Sequence, residues 1–435
     1  MQKNNWLSSW ARLFLWSHAI GVAGFYSLQW LRTRPNKEDY VRKLPPITIQ
    51  NTQQPTTHLT PRVSIIVPAR NEERNILRCV SSLLEQDYTN YEVIVVDDGS
   101  SDNTAGVLDE LTATHSHSER LFVLRLKDQL PDGWAGKPHA IHMGVQEASG
   151  DWLLFTDADT WHAPNALRST LTQAIQEGAD LFTISTQQEL PTFWDKVMMP
   201  MAFLGISMLY PPRQANDPAS PVAIANGQFI LIKHSVYEAT GGYARPAMKA
   251  TLLDDRDLAA IIKREGYRLR FIDGQGLVSV RMYQSLNEAW HGWRKNAYLG
   301  NRGGLAFVLL ELFGLPMITV VPFLLPLFTL FTRKPQRRQI AWTEVRNATA
   351  LELTPLLLYR TWLNRQMGVP WYYIFSHPLA GTIFEGILAQ STWLIVTGKG
   401  VDWRGRRYHD TNKQPHIDTN PDTNLDTSPR TNKVQ

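Results

Sequence analysis

Asp157 and Asp159 stand one residue apart at the end of the run Gly150-Asp-Trp-Leu-Leu-Phe-Thr-Asp-Ala-Asp-Thr160. The mostly apolar stretch Trp152 to Thr156 suits a buried strand. A strand that surfaces with carboxylates at its carboxyl end is where open α/β sheets bind ligands. Two hard oxygen donors there suit Mg²⁺ or Mn²⁺ carrying a diphosphate, since such ions take one or two protein carboxylates plus substrate oxygens. A lone Asp-x-Asp is more often a surface turn, so the weight rests on what accompanies it.

Four further stretches accompany it. Val63-Ser-Ile-Ile-Val-Pro-Ala-Arg-Asn-Glu-Glu73 reads as a buried strand ending at Pro68, with Asn71 or Glu72 available to cap a following helix. Val93-Ile-Val-Val-Asp-Asp-Gly-Ser-Ser-Asp-Asn-Thr104 delivers Asp97 and Asp98 to a sheet edge, where a carboxylate can accept hydrogen bonds from a nucleobase imide or a ribose hydroxyl. Gly133-Trp-Ala-Gly-Lys-Pro-His-Ala140 sets Lys137 in a glycine-punctuated loop, where it is either solvated or a point charge against phosphate. Thr251-Leu-Leu-Asp-Asp-Arg-Asp-Leu258 puts Asp254 and Asp255 at the start of a helix, either as partners of the helix dipole or as a general base for an acceptor hydroxyl.

The elements that must position these residues alternate. Strand-like runs at Val63–Val67, Tyr91–Val96, Leu121–Leu126, Trp152–Thr156 and Asp180–Ser185 are separated by helical patterns such as Glu73–Leu84 and Thr104–Leu111. That alternation predicts an α/β domain over residues 62–283 with a mostly parallel sheet and helices on both faces. Gln187 to Pro212 breaks the pattern. It is rich in Met and aromatics, and reads as core, a membrane-lying segment or a lipid-facing wall.

The chain has 435 residues, a net charge of +4, one cysteine and fifteen tryptophans. The charge gives no reason to expect a nucleic-acid partner, and a single Cys79 excludes an intramolecular disulfide. Leu13 to Leu31 carries no Asp, Glu, Lys or Arg, and more basic residues follow it than precede it. This predicts a membrane anchor over residues 1–40 with the downstream domain facing the cytoplasm. Residues 41–61 read as a linker. The stretch 304–398 reads as a C-terminal membrane region, its apolar runs broken by Pro316, Pro322, Pro326 and Pro378. Residues 409–435, with repeated Asp-Thr-Asn-like units, are expected to be disordered.

Taken jointly and in this order, the stretches from Val63 to Asn296 resemble the family 2 glycosyltransferases of the GT-A fold. The resemblance implies that Pro68, Ala69, Asn71, Glu72 and Asp98 contact the nucleoside of a nucleotide sugar, with uridine the one expected and Asp97 beside it. It places Lys137 near the diphosphate, Asp157 and Asp159 on the divalent metal, and Asp255 as base with Asp254 next to it, in a single in-line displacement that inverts the anomeric centre. Processive members carry Gln-x-x-Arg-Trp after the base. Here the region reads Arg281-Met-Tyr-Gln-Ser-Leu-Asn-Glu-Ala-Trp-His-Gly-Trp-Arg-Lys-Asn296, which favours transfer of a single sugar. The same stretch is similar to membrane-bound enzymes that glycosylate carotenoids, and also to hopanoid-associated ones. That implies a membrane lipid acceptor, with Trp293 among the substrate-binding residues. Residues 284–303 read either as an interfacial helix, with Trp290, Trp293 and Tyr298 among headgroups and Arg294 and Lys295 in water, or as a helix packed on the sheet. A nucleotidyltransferase is disfavoured because Pro68-Ala-Arg-Asn-Glu72 lacks a glycine-rich phosphate loop, and a non-catalytic scaffold because every expected carboxylate is present.

Overall fold

In the computed structural model, residues 3–34, 39–45, 60–126, 130–274, 276–298, 300, 304–331, 342–403 and 406–408 are described. The expected tail and the basic run Arg333 to Arg338 lie outside them. The elements in order are α1 (Lys3–Thr33), β1 (Val63–Ala69), α2 (Ile76–Leu84), β2 (Tyr91–Asp97), α3 (Thr104–Thr114), β3 (Leu121–Arg125), α4 (Gly136–Gln146), β4 (Trp152–Phe155), β5 (Thr160–His162), α5 (Ala166–Gln176), β6 (Leu181–Ser185), β7 (Gln187–Gln188) and α6 (Phe193–Leu209). There follow α7 (Pro212–Asn216), β8 (Ile230–Lys233), α8 (His234–Ala239), α9 (Pro246–Lys249), α10 (Asp254–Arg264), β9 (Leu269–Asp273), β10 (Val278–Val280) and α11 (Leu286–Ala297). The C-terminal part holds α12 (Gly304–Thr319), α13 (Val321–Phe331), α14 (Trp342–Gln366), α15 (His377–Val396), β11 (Val401–Trp403) and β12 (Arg406–Tyr408).

The main sheet has seven strands in the order β3-β2-β1-β4-β8-β6-β9. Only β8 runs against its neighbours. Its four residues are too short a run to stand out in the sequence, and neither β8 nor β9 is among the strands anticipated from it. β1 lies inside the sheet, between β2 and β4, because it is apolar towards both faces. Ile65 and Val67 pack with α2 and α5, and Ile66 packs with α4 and α10. Pro68 follows Ile66, the last β1 residue paired with β4, so its missing N–H leaves no β1–β4 bond unmade. α4 crosses the sheet closely at Gly144, where a Cβ would stand 2.7 Å from Ile66 Cγ2, so alanine there would push helix and sheet apart.

The first residues of the expected linker are not free. Val41 N donates to Asp273 O (2.8 Å), Arg42 N to Gln173 Oε1 (2.9 Å) and Leu44 N to Ser169 Oγ (3.1 Å). Residues 39–45 therefore lie along β9 and over α5; residues 46–59 are outside the described set.

The remaining helices form a bundle beside the sheet. α1 packs along α14, and α15 touches α12, α11 and α6. Among the described residues, one helical stretch, Trp371–Val396, is long and apolar enough to cross a membrane by length and composition. The pair α12 and α13 passes the same test together, bent by 46°. α1, the expected anchor, does not. His18 and Gln29 dilute its apolar run, and both are turned inward: His18 meets Glu352 Oε2 (2.9 Å) and Met317 O (2.8 Å). The α12–α13 bend has a local cause. Pro322 has no N–H, so Ile318 O loses its helical donor. Tyr26 OH donates to that carbonyl instead (3.1 Å) and also meets His377 Nε2 (2.8 Å).

Candidate active site

The carboxyl ends of β1, β2 and β4, the start of α4, the loop before β8 and the start of α10 converge on one cavity of about 400 Å³. Pro68, Ala69, Glu72, Asp98, Lys137, Asp157, Asp159, Asp254, Asp255 and Trp293 all line it. These positions, drawn from six separate stretches of sequence, are brought together by the sheet order.

Asp157 and Asp159 leave β4 on a turn that is tied down on both sides. Thr156 Oγ1 donates to Gln228 O (2.8 Å) and Thr160 Oγ1 to Asp157 O (2.8 Å). His162 Nε2 lies 3.1 Å from Thr156 Oγ1 and 3.0 Å from Thr160 Oγ1. Burial lowers this imidazole to about 3, so it stays neutral at physiological pH. A histidine depressed in the folded state and ordinary in the unfolded one contributes stability that is present above about 6.5 and lost as pH falls towards 3. Urea unfolding should therefore show stability declining by up to about 1.4 kcal/mol per pH unit below that point. The slope should be shallower in His162→Gln.

Lys137 is not in a loop. It occupies the first turn of α4, beside Pro138, a position where proline is tolerated because that N–H has no helical partner. Its Nζ lies 2.7 Å from Asp157 Oδ1 and 3.4 Å from Asp254 Oδ2. Burial works against the ammonium's charge, but Asp157, Asp254 and Asp255 outweigh it and hold the group above the ordinary lysine range. Asp254 Oδ2 also accepts from Tyr243 OH (3.2 Å). Asp255 is fixed by backbone N–H donors, Gly227 to Oδ2 (3.1 Å) and Arg256 to Oδ1 (2.7 Å). Burial raises its carboxyl to about 6; Asp254's charge adds to the shift and Lys137 opposes it.

Gly227 shows how tightly these groups meet. A Cβ there would stand 3.0 Å from Lys137 Nζ, 3.4 Å from Asp255 Oδ2 and 3.7 Å from Asp157 Oδ2. Gly227→Ala should displace the Lys137 ammonium and lower turnover about tenfold, on the scale of a small misplacement of reacting groups. Thermal melting should change little; unchanged steady-state kinetics would show that the lysine's position is not critical.

Asn71 was expected to contact the nucleoside and Asp97 to lie beside it. Neither lines the cavity, and both shape the loop after β2. Asn71 Oδ1 accepts from Ser101 N (2.8 Å), and its own N–H donates to Ser100 Oγ (3.0 Å) from a left-handed backbone (φ 54°). Asp97 Oδ1 accepts from Ser100 N (3.0 Å). Sequence reasoning missed Asn226, Gly227 and Gln228 before β8, Thr186 after β6, and Met199, Phe203 and Ile206 of α6, all of which line the cavity. The tripeptide Asn226-Gly-Gln ahead of the apolar run Phe229–Ile232 was the available signal.

α11 packs one side, with Ala289 and Gly292 buried, against α15. Trp290 Nε1 donates to Gln390 Oε1 of α15 (2.6 Å), and the Trp293 ring lies 5.7 Å from Phe384. Lys295 is not in open water; it lines the cavity, and burial, with Lys137's charge adding to it, lowers its ammonium to about 8. Cys79 belongs to the core beneath the site, where burial pushes its thiol up to about 12.

Residues 64–241 match the model of glycosyl transferase family 2. The chain carries a family 2 glycosyltransferase domain. A 4,4'-diaponeurosporenoate glycosyltransferase of Staphylococcus aureus (strain USA300) is 27% identical over 364 residues, covering 81% of this chain and 89% of the relative. Among solved structures, the mannosyltransferase PcManGT of Pyrobaculum calidifontis, in complex with GDP-Man and Mn²⁺, is 18% identical. It covers 87% of this chain and 98% of its own, at a TM-score of 0.47. S. aureus TarS 1–349 with UDP-GlcNAc is 15% identical, covering 82% and 98%, at 0.36. These structural likenesses are loose. The glycosyltransferase's own sheet, parallel but for β8, is GT-A-like.

Proposed function

We propose that the glycosyltransferase moves a single hexose, glucose as first choice, from a uridine-diphosphate donor to a membrane lipid, with inversion at the anomeric carbon. The observation that carries this reading is a cavity of two characters. Its lining includes Lys137, Asp157, Asp159 and Asp255 together with Met199, Phe203 and Ile206 of α6, Met282 and Trp293. Charged and apolar groups in one space suit a water-soluble sugar nucleotide meeting a lipid. The outer surface of the bundle supports the membrane location. Phe313 (71% exposed), Leu358, Trp371 and Phe375 stand in solvent-facing positions that a soluble protein would not fill with such side chains. A cytoplasmic orientation follows the basic residues after α1.

The chemistry of the charged lining fits a divalent metal. Among the described residues no cluster of three or more His, Cys, Asp or Glu side chains forms a complete metal cage. Two carboxylates on one turn, with a lysine ammonium already at 2.7 Å from one of them, mark a place that favours positive charge. Asp157 and Asp159 would hold Mg²⁺ or Mn²⁺ together with donor phosphate oxygens. When bound, the ion neutralises charge on the leaving diphosphate. The first-turn N–H groups of α4 and the Lys137 ammonium face the same diphosphate. Glu72 and Asp98, with Pro68 and Ala69, form the floor for the nucleoside. Asp255 takes the proton of an acceptor hydroxyl as that oxygen attacks the anomeric carbon.

The S. aureus relative is named for a carotenoid acid, and a carotenoid is the first acceptor to test here; a hopanoid or polyprenyl phosphate comes next. Detergent-purified protein would be given radiolabelled UDP-glucose, total lipid extract and Mg²⁺ or Mn²⁺, beside an Asp157→Ala/Asp159→Ala control. Label entering a coloured lipid band only with the unaltered protein is the expected result. Label in no lipid with several donors would overturn the reading.

A further inference from the structure

Among the described residues Arg360 is the largest fully buried side chain, 1% exposed in the middle of α14. A charged group so deep is costly, and a well-packed apolar residue would serve stability at least as well. No carboxylate pairs with it among the described residues. Its Nε and Nη1 have no hydrogen-bond partner there, and its only bonds run from Nη2 to Val197 O (3.3 Å) and Lys196 O (3.5 Å) on α6.

Those two carbonyls explain the choice. α6 contains Pro200, which lacks the N–H that would otherwise bond the carbonyl four residues earlier, that of Lys196. The guanidinium reaches that left-over carbonyl at 3.5 Å and the next one, Val197 O, at 3.3 Å. The same arrangement occurs where Tyr26 meets the carbonyl freed by Pro322, so a side chain from a neighbouring helix takes up a proline-freed carbonyl twice in this bundle. The opened turn of α6 stands directly before Met199, Phe203 and Ile206, which form the apolar wall of the active-site cavity.

We infer that Arg360 is a positioning residue. Through the Lys196 and Val197 carbonyls it fixes the proline-opened first half of α6, and so sets the wall against which the acceptor is held. Arg360 lines no part of the cavity, so it acts on the acceptor only through α6. The inference rests on the reading of the α6 lining as the acceptor's wall.

Arg360→Met is expected to raise the KM for the lipid acceptor about tenfold or more, as a shifted wall misplaces the acceptor. The KM for the sugar nucleotide and the slow hydrolysis of donor without acceptor should stay unchanged. Pro200→Ala restores the missing N–H to Lys196 O. In the Arg360→Met background it should therefore recover most of the acceptor KM. Hydrogen exchange over residues 193–209 reads the same coupling without turnover: faster in Arg360→Met, slowed again when Pro200→Ala is added. Equal loss of donor hydrolysis and transfer would overturn the inference. So would a double variant no better than the single one, or one that fails to fold. If unaltered protein transfers no sugar to lipid, the acceptor reading fails, and exchange over α6 still decides the role of Arg360.

Discussion

Asp255→Asn lowers sugar transfer by about 10²–10⁴-fold, the range general-base catalysis supplies, while the variant melts no lower than the unaltered protein near pH 7. Both halves follow from one property. Asp255's carboxyl is raised to about 6 by burial and by Asp254. A carboxylate raised on folding contributes stability below its unfolded value, near 4, and loses it as pH rises through 6. At neutral pH the charge is a burden on the fold, and uncharged Asn keeps an oxygen for the Gly227 N–H while shedding it. For catalysis the sign is reversed, since a base must be ionised. Transfer by the unaltered protein should fall about tenfold per unit below pH 6, and that limb should vanish in Asp255→Asn. Near-normal turnover of the variant would mean an acceptor that arrives already ionised, such as a carboxylate or a phosphate, and would remove the base from the proposed mechanism.

On the proposed mechanism, chelation of divalent ions is expected to abolish transfer, and Asp157→Asn to reproduce that loss by at least about a hundredfold, as when charge stabilisation of a leaving group is removed. Asp157 has two relationships in the structure, one to the metal it would hold and one to Lys137 at 2.7 Å. They are separable. Lys137→Met should weaken the donor's diphosphate without removing the metal requirement, whereas Asp157→Asn should shift the Mg²⁺ or Mn²⁺ concentration for half-maximal rate. Transfer that survives chelation would show that Lys137 and the start of α4 carry the diphosphate alone.

The carboxylates and the lysine of this cavity were legible in the sequence because a parallel sheet delivers strand ends to one edge. An aliphatic run that stops at a carboxylate announces both the strand and the ligand, as with Val96 before Asp97 or Phe155 and Thr156 before Asp157. Which carboxylate faces the cavity was legible only through the family resemblance, which named Asp98 and put Asp97 beside it; the strand pattern alone delivered both. Asp97 and Asp98 differ by one residue, and the alternation of the backbone gives only Asp98 to the cavity while Asp97 holds the Ser100 amide. Lys137 was read as a loop residue because glycines on both sides hid the start of α4. The apolar lining was legible only in part. Trp293 was named through the family resemblance, whereas Met199 and Phe203 lay in a stretch that reads equally as core, a membrane-lying segment or a lipid-facing wall, and only long-range packing of α6 brings them to the cavity. Gly227 reaches it through β8, an antiparallel strand inserted into a parallel pattern.

The segment 39–45 also bears on how the catalytic domain can be isolated. One of its hydrogen bonds, Val41 N to Asp273 O, caps the end of β9, the last strand of the sheet, while Asn216 of α7 meets both the N–H and the carbonyl of Phe271 further along the same strand. A chain cut back to residue 60 to obtain a soluble domain would strip the first of these covers and keep the second. It would also bare the Gln173 and Ser169 side chains of α5 that accept from Arg42 and Leu44, so the cost of the cut falls on the corner between β9 and α5. A cut placed before residue 39 keeps all three bonds.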